Sequence, residues 1–582
     1  MLLAGCDLPK AWAEAPQWRI LDISFSDGLP FLTAWHAWRR DPQRARLLHV
    51  VWVLAQPPSR AALLRLGDAD ESLAPLAREL ADQWQGLLPG FHRLTFEGGR
   101  VLLTLCIGDV QEMLRAQHFE ADSIWFGGGD AVATEDPAPV DLSKAIARFA
   151  RLGTTIACDR SSAPLRAALD QCGFALDRPT LDARNSTGGG SLRGRYAPSW
   201  TPRRRLPERP FATPGHCAVV GAGLAGAAVA ASLARRGWRV TVLDAADAPA
   251  AGASGLPVGI MAPHVSPDDA LLSRLTRAGI RMTWQQAQAL LQKGEDWGAT
   301  GVVERRDADD ARLPAGWSSD GPNLSWHASP VQRTAAGLPE EAVALWHGQA
   351  GWVKPSRLVA AWLAQPGIEV RQRCRVGALQ RDADGWALID AQGQRLLAAD
   401  RVVIAAGHES RAFAPTQPLQ PVRGQVAWGR VGDLQALPAV PVNGDGHLIA
   451  RVPHDAGAIW LSGATFDRDR ADLAPAEADA RANRAQLARL HPGAAALLAP
   501  AFDGGRVQAW VGVRCASADR RPLVGPMDMA DPDGPWLCTA LGSRGLSFAV
   551  LCAELLAAQW HAEPLALPAR LAAALGTART AN

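Results

Sequence analysis

The stretch Cys217-Ala218-Val219-Val220-Gly221-Ala222-Gly223-Leu224-Ala225-Gly226 decides the fold. Its first four residues are an apolar run suited to a buried strand. Leu224–Arg236 then has the composition of a helix, and a second strand, Arg239–Leu243, ends in Asp244. This is Gly-x-Gly-x-x-Gly in a full βαβ setting. The first glycine permits the tight turn, the second lets the backbone approach a pyrophosphate, and the third lets helix and strand pack closely. The helix N-terminus offers unpaired N–H groups and partial positive charge to phosphate. Asp244, 23 residues after Gly221, is placed to accept from a ribose hydroxyl. These features predict a dinucleotide site built from Gly221, Ala222, Gly223, Leu224, Gly226 and Asp244.

Two later segments favour FAD over NAD. Arg401–Ala405 reads as an apolar strand running into Ala406-Gly407-His408, a small-residue turn that returns the chain to the dinucleotide. Leu541-Gly542-Ser543-Arg544-Gly545-Leu546 precedes a long apolar helix, Ser547–Gln559. A glycine turn at a helix N-terminus aims backbone donors and the positive dipole end at an anion. In a flavoenzyme that anion is the reduced flavin.

Further segments carry a family resemblance. They are Gly252-Ala253-Ser254-Gly255 with Gly259 and Pro263, Gly351-Trp352-Val353 with Pro355, Val403–His408, Val422-Arg423-Gly424-Gln425-Val426, Gly512-Val513-Arg514-Cys515-Ala516, and Ala540–Glu554. In this order the second part resembles the D-amino-acid-oxidase and glycine-oxidase family of FAD enzymes. More closely, it is similar to the oxidoreductase half of the MnmC family of bacterial tRNA-modifying proteins. The resemblance implies that Ser254, Gly255, Ala406, Gly407, Gly542, Ser543, Arg544, Gly545 and Leu546 bind FAD. It also implies that Arg514 is the catalytic-site clamp for a substrate carboxylate, a task suited to a planar, permanently charged fork. The implied substrate is 5-carboxymethylaminomethyl uridine at the tRNA wobble position. Oxidation to an imine and hydrolysis would release glyoxylate and leave 5-aminomethyl uridine.

The first part alternates strand and helix signals. Leu47–Leu54, Val101–Ile107, Ser123–Phe126 and Thr154–Cys158 read as buried strands, with helical periodicity over Leu63–Leu87 and a helix at Leu142–Ala150. Alternation of this kind predicts a parallel α/β sheet. In order and spacing this part resembles the S-adenosylmethionine-dependent methyltransferase half of the same family. Three loops depart from the family pattern. Asp22-Ile23-Ser24-Phe25-Ser26-Asp27-Gly28 retains one glycine where the family has three. Leu54 stands where the family has a ribose-holding acid, and Gly128 stands near the expected catalytic aspartate, with Asp130 displaced by two residues. We therefore expect S-adenosylmethionine not to bind and methyl transfer to be lost, so that a separate methyltransferase would act on the product.

The expected fold class is α/β and α+β. It comprises an N-terminal Rossmann-like methyltransferase-type domain over 1–190, a basic Pro/Arg-rich linker over 191–213, and a C-terminal FAD-binding Rossmann domain over 214–582 with an interleaved antiparallel-sheet substrate domain. The linker carries Arg193, Arg195 and Arg203-Arg204-Arg205, which could contact tRNA phosphates. Length and composition agree with two large units: 582 residues, 48% apolar, 20% charged and a net charge of +2 exclude a disordered or strongly polyionic chain. Apolar runs of about ten residues are too short for a membrane span. Only Lys10, Lys144, Lys293 and Lys354 among the 60 basic residues are lysines, a bias of composition rather than a signal. The nine cysteines form no C-x-x-C pair, arguing against a metal site or a disulfide framework and for a reducing, cytoplasmic setting. Leu3-Ala4-Gly5-Cys6 imitates a lipoprotein cleavage site without room for an apolar core before it. Two other functions stay open: a small-molecule glycine or D-amino-acid oxidase with an accessory domain, and a non-catalytic RNA-binding scaffold that retains FAD.

Overall fold

The computed structural model describes every residue except 1, 25–26, 128–138, 160, 178–190, 202–211, 308, 316, 318–323, 384, 433, 435 and 581–582. Backbone contacts divide the chain into two compact units. One comprises Met1–Thr213 with Ala557–Ala572; the other comprises Pro214–Leu556 with Ala573–Asn582.

The first unit is built on one eight-stranded sheet. In spatial order the strands are Gly90–Phe96, Val101–Ile107, Leu48–Leu54, Trp18–Ile23, Ala121–Phe126, Ala150–Cys158, Leu192–Tyr196 and Phe174–Leu176. The five from Val101–Ile107 to Ala150–Cys158 run parallel. Leu48–Leu54 and Val101–Ile107 are buried along their whole length, as strands covered on both faces must be. The chain leaves Trp18–Ile23 toward one side of the sheet and later returns to Ala121–Phe126 on the other. The switch point therefore lies beyond the ends of those two strands. Cys6 is fully buried in the core of this unit.

Three details differ from the sequence reading. The periodicity over Leu63–Leu87 resolves into two helices, Arg60–Ala69 and Ala74–Asp82. The Asp70 carboxylate accepts from the Ser72 backbone at 2.9 Å and breaks the run. Residues 191–213 do not begin as a linker, because Leu192–Tyr196 is a strand with Leu192, Gly194 and Tyr196 inward and Arg193 and Arg195 exposed. Five residues of period-2 alternation were hidden there by the Arg- and Pro-rich composition. Arg203–Arg205 lie outside the described residues. The third difference concerns Ala557–Ala572, which belongs to the first unit rather than the second. Arg93 donates to the Pro564 carbonyl at 2.7 Å and Gln17 to that of His561 at 2.7 Å. Gln117 pairs with Leu565 on both sides, donating to its carbonyl at 2.9 Å and accepting from its N–H at 3.3 Å.

The second unit holds a six-stranded sheet in the order Ile368–Arg371, Arg239–Leu243, His216–Val220, Arg401–Ile404, Trp536–Thr539, Leu523–Pro526. All but the last strand run parallel. Beside it lies a nine-stranded sheet whose spine is the twelve-residue strand Leu419–Arg430, paired antiparallel with Ile459–Gly463 and Gln508–Ser517. Two three-stranded sheets complete the described part of the unit: Gly259–Met261, Gly351–Val353 and Trp297–Gly298 in one, and Ala378–Asp382, Gly385–Ile389 and Arg395–Ala399 in the other. Among the described residues no helix is long and apolar enough to cross a membrane.

Gln117→Ala would leave the N–H and C=O of Leu565 unpaired in a buried setting. At about 1–3 kcal/mol for each unsatisfied group, the first unit is expected to lose about 2–6 kcal/mol. The readouts are an earlier denaturation midpoint and new protease cleavage within 557–572.

Candidate active site

The dinucleotide turn has the geometry its glycines dictate. Gly221 takes φ +109°, and a side chain there would meet the Ala405 carbonyl at 2.6 Å. A Cβ on Gly226 would fall 1.8 Å from the Gly221 carbonyl oxygen, so helix and turn are in backbone contact. Gly223 caps the helix Leu224–Arg235, and the Leu224 N–H donates to Ser254 Oγ at 2.9 Å. Asp244 accepts from the Ala222 N–H at 2.6 Å and the Ala246 N–H at 2.8 Å, which fixes its carboxylate beside the turn.

The other predicted cofactor residues converge on the same place. Ala406 lies against Gly221, and the Gly407 carbonyl accepts from Thr539 Oγ1 at 3.0 Å. Gly255 sits under the Ala250 carbonyl, where a Cβ would meet oxygen at 2.6 Å. A Cβ on Gly545 would meet Leu224 at 3.0 Å, so the two glycine turns adjoin, and Leu546 packs on Gly259. The Gly542 N–H donates to the Cys515 carbonyl at 2.8 Å, tying the second turn to the strand that carries Arg514. Ser543 is exposed and Arg544 is half-buried. A glycine-lined turn on a helix N-terminus with a fixed acid beside it fits the pyrophosphate and ribose of FAD.

Arg514 occupies a hollow made by missing side chains. In the register of Leu419–Arg430 with Gln508–Ser517, Val422 opposes Arg514, Gly424 opposes Gly512 and Val426 opposes Trp510. Directly opposed residues share a face. A Cβ on Gly424 would lie 1.7 Å from Arg514 Nη2, and one on Gly512 would strike the Trp510 ring at 2.3 Å. The guanidinium donates to the Thr465 carbonyl at 2.8 Å and stacks 5.0 Å from the centroid of Phe466. Among the described residues it has no carboxylate partner, and burial pulls its pKa below the ordinary value. Arg423, the neighbouring residue of the motif, points to the opposite face. There it is fully buried, pairs with Asp479 and donates to the carbonyls of Asp472 and Ala474.

The sequence reading missed two histidines near these groups. His447 opposes Gly463, which opposes Val426, placing His447 on the Arg514 face. Burial and the Arg514 charge push its pKa down to about 4. His264, three residues beyond Gly259–Met261, is half-buried and also shifted down, by burial and by Arg544 and Arg306. Only the strand register and the loop path reveal either one, because neither stands in a spaced motif.

The switch point of the first unit is different. A Cβ on Gly127 would lie 1.8 Å from the Ser24 carbonyl oxygen, so the two strand-end loops touch through their backbones. A Cβ on Gly28, which takes φ +104°, would meet Leu63 and the Trp52 ring at 3.1 and 3.2 Å. Leu54 is buried among apolar side chains where a ribose would need an acid. Asp22 is fully buried and accepts from the Ser24 N–H at 2.9 Å; burial raises its pKa to about 6. Among the described residues, the end of Leu48–Leu54 carries Leu54 rather than an acid, and Ser24 and Gly127 meet through their backbones. Gly128 and Asp130 lie outside the described residues.

Comparison with known proteins agrees with this division. Residues 216–559 match the family of FAD-dependent oxidoreductases, and residues 71–187 match a family of S-adenosyl-L-methionine-dependent methyltransferases. The tRNA 5-methylaminomethyl-2-thiouridine biosynthesis bifunctional protein MnmC of Polaromonas sp. is 50% identical over 99% of this chain and 93% of its own length. The chain belongs to the MnmC family. The MnmC of Verminephrobacter eiseniae is 49% identical over 99% of this chain and 98% of its own. Among solved structures, glycine oxidase from Geobacillus kaustophilus aligns with 61% of the chain and 97% of its own, at 20% identity and a TM-score of 0.49. Like other members, the chain pairs an FAD-dependent oxidoreductase domain with a methyltransferase-type domain.

Gly226→Ala is expected to abolish FAD retention, because its Cβ would fall on a backbone oxygen that has nowhere to move. Gly252→Ala is expected to retain FAD fully, because a Cβ there meets nothing within 4 Å. Flavin absorbance per mole of purified protein reads both.

Proposed function

We propose that this chain oxidatively removes the carboxymethyl group from 5-carboxymethylaminomethyl-(2-thio)uridine at the tRNA wobble position, leaving 5-aminomethyl uridine. The observation that carries the reading is Arg514: a largely buried guanidinium, braced by one carbonyl and an aromatic ring, with no carboxylate partner among the described residues. A buried charge of this kind calls for an anion. The substrate's N-substituted glycine supplies one. The names of the relatives support tRNA as the partner.

FAD, when bound, supplies the hydride acceptor. Gly221, Ala222, Gly223, Leu224 and Gly226 hold its pyrophosphate and Asp244 its ribose. Ser254, Gly255, Ala406 and Gly407 flank it, and the turn Gly542–Leu546 lies at the flavin end with the Ser543, Gly545 and Leu546 N–H groups as its donors, since those of Gly542 and Arg544 bond to the Cys515 and Leu541 carbonyls. Arg514 fixes the carboxylate and so holds the methylene between carboxylate and nitrogen in one orientation. Loss of hydride from that carbon leaves a C=N bond. Water adds to the imine carbon, the C–N bond breaks, the nitrogen leaves as a primary amine on the uridine, and glyoxylate departs.

The first unit keeps the methyltransferase fold without the reaction. Ser24 against Gly127 and Leu54 in place of an acid support that reading. The aminomethyl product then passes to a separate, S-adenosylmethionine-dependent amine methyltransferase in the cytoplasm.

Arg514→Lys keeps the charge and loses the planar fork. Full FAD content is expected to remain, while single-turnover flavin reduction by carboxymethylaminomethyl-tRNA slows by roughly 30- to 1000-fold, equivalent to about 2–4 kcal/mol. Unchanged reduction would remove Arg514 from the site. Mass spectrometry of nucleosides from tRNA treated with the wild-type protein and S-adenosylmethionine is expected to stop at 5-aminomethyl uridine. Titration calorimetry is expected to show no binding of S-adenosylmethionine at sub-millimolar concentration. A 5-methylaminomethyl product would show the first unit to be active.

A further inference from the structure

A bulge beside Arg514 sets an exposed aromatic ring against its guanidinium. The strand Leu419–Arg430 pairs Val426 with Gly463 and Arg423 with Asp467, antiparallel in both cases. Between those pairs it has Gly424 and Gln425, while the facing chain has Ala464, Thr465 and Phe466. The extra residue makes a bulge, which re-aims a side chain locally. Thr465 is pinned at three atoms. Its N–H donates to the Gln425 carbonyl at 3.1 Å, its Oγ1 accepts from the Gln425 N–H at 3.0 Å, and its carbonyl accepts from Arg514 Nη2 at 2.8 Å. Phe466 follows directly, with its ring centroid 5.0 Å from the guanidinium carbon of Arg514. Asp467, on its other side, is back in the ladder. The backbone of Phe466 is thus held from both directions, yet the residue is 51% exposed.

The guanidinium lies between this ring and the cofactor turns. The strand Gln508–Ser517 touches those turns at two points. Trp510 Nε1 is 3.9 Å from the Cβ position of Gly255, and the Cys515 carbonyl accepts from the Gly542 N–H at 2.8 Å. From that strand Arg514 reaches over Gly424, on the neighbouring strand, to Thr465 and Phe466 on its far side. In the substrate argued above, four bonds separate the carboxylate carbon from C5 of the base, a tether of about 5 Å when extended. That tether matches the distance between guanidinium and ring.

We propose that Phe466 is the platform on which the wobble base stacks, so that the site selects a carboxylate tethered to a nucleobase over a free one. The proposal rests on the substrate and the Arg514 clamp of the reading above. Proteins that recognise single-stranded RNA splay bases out and stack them on aromatic side chains. Such a platform needs a flat ring with open surface and an attachment that does not move, and Phe466 has both. The cation beside it is drawn to the face of the ring, and this contact fixes the ring without burying it. A scattered exposed ring needs no explanation; the bulge and the clamp beside it supply one here. With the carboxylate on Arg514 and the base on Phe466, the methylene and nitrogen between them are restrained at both ends. Phe466 binds substrate and takes no part in proton or hydride transfer.

The test compares a substrate that carries a base with a carboxylate that carries none. The first readout is the second-order rate of flavin reduction by carboxymethylaminomethyl-tRNA under single turnover, using FAD-loaded full-length protein. The second is the inhibition constant of methoxyacetate in the same assay. Methoxyacetate has the carboxylate, an ether oxygen where the substrate has its amine, and no base. Phe466→Leu keeps apolar bulk and loses the flat face; Phe466→Trp keeps a flat face. All variants are compared at equal flavin content. In Phe466→Leu the loss of tRNA rate is expected to exceed the loss of methoxyacetate inhibition by about 5- to 150-fold. Phe466→Trp is expected to recover most of the tRNA rate. Equal losses in the two readouts would show a ring that only braces Arg514, and they overturn the proposal. So does an unchanged tRNA rate in Phe466→Leu, or a Phe466→Trp no faster than Phe466→Leu. A wild-type protein that this tRNA does not reduce, or that methoxyacetate does not inhibit, overturns the substrate reading itself and the platform with it.

Discussion

The strand Leu419–Arg430 does opposite work on its two faces, and the buried ion pair between Arg423 and Asp479 keeps them apart. Arg423 is wholly inaccessible, and it spends its remaining donors on the carbonyls of Asp472 and Ala474. Gln425, two residues on, exchanges hydrogen bonds with Ala476 and receives one through its carbonyl from Asn483. These contacts hold the odd-numbered residues against the helix Glu477–Leu490. The even-numbered residues Gly424 and Val426 must then face the other way, opposite Gly512 and Trp510. A slip of one residue would put an arginine into the hollow reserved for Arg514 and a glycine against Asp479. Removing one partner of such a pair leaves an uncompensated buried charge, at a cost of about 3–5 kcal/mol. The ion pair therefore acts as a register lock, and the position of Arg514 follows from it.

The charge balance of the site follows from which groups are already occupied. Glu304 is mostly buried, which alone would raise its pKa. His347, 2.9 Å from its carboxylate, and Arg306, also at 2.9 Å, outweigh burial and hold it down to about 2. Its negative charge is thus committed to its own neighbours. Arg514 and Arg544 have no such commitment among the described residues, and burial together with these arginines shifts His264 and His447 toward the neutral form. The result is a surface with fixed positive charge and imidazoles that favour the neutral form. Such a surface favours a carboxylate and does not oppose the loss of a proton from a nearby amine.

What could be read from the sequence was what backbone geometry writes into residue type. Gly221, Gly226 and Gly424 are glycines because a Cβ at each would occupy space held by another group, and a spaced motif exposes that requirement. Arg514 was legible through the family resemblance carried by Gly512-Val513-Arg514. The return of 557–572 to the first unit was not legible. Its bonds run from Gln17, Arg93 and Gln117 to main-chain groups, which any sequence possesses. His264 and His447 were hidden for a related reason. Their neighbours come from a loop path in one case and a four-strand register in the other, and neither leaves a periodic trace. The strand Leu192–Tyr196 was obscured by composition, since its exposed positions are both arginine.

The first unit shows how far a fold of this class is held by packing rather than by a ligand. Its core of Trp12, Trp35, Trp38, Trp52, Phe31 and Phe96 is one buried cluster that reaches the loop at Gly28 through the Trp52 ring. A charged acid at the end of a buried strand costs stability, because it must keep a charge near an apolar core. Leu54 at the end of Leu48–Leu54 instead joins that core. The Ser24 carbonyl and Gly127 meet beside it through their backbones. Asp22 is the acid that remains. It stays fully buried with its pKa raised to about 6, a residual acid at the end of the first strand whose cost the surrounding core still carries.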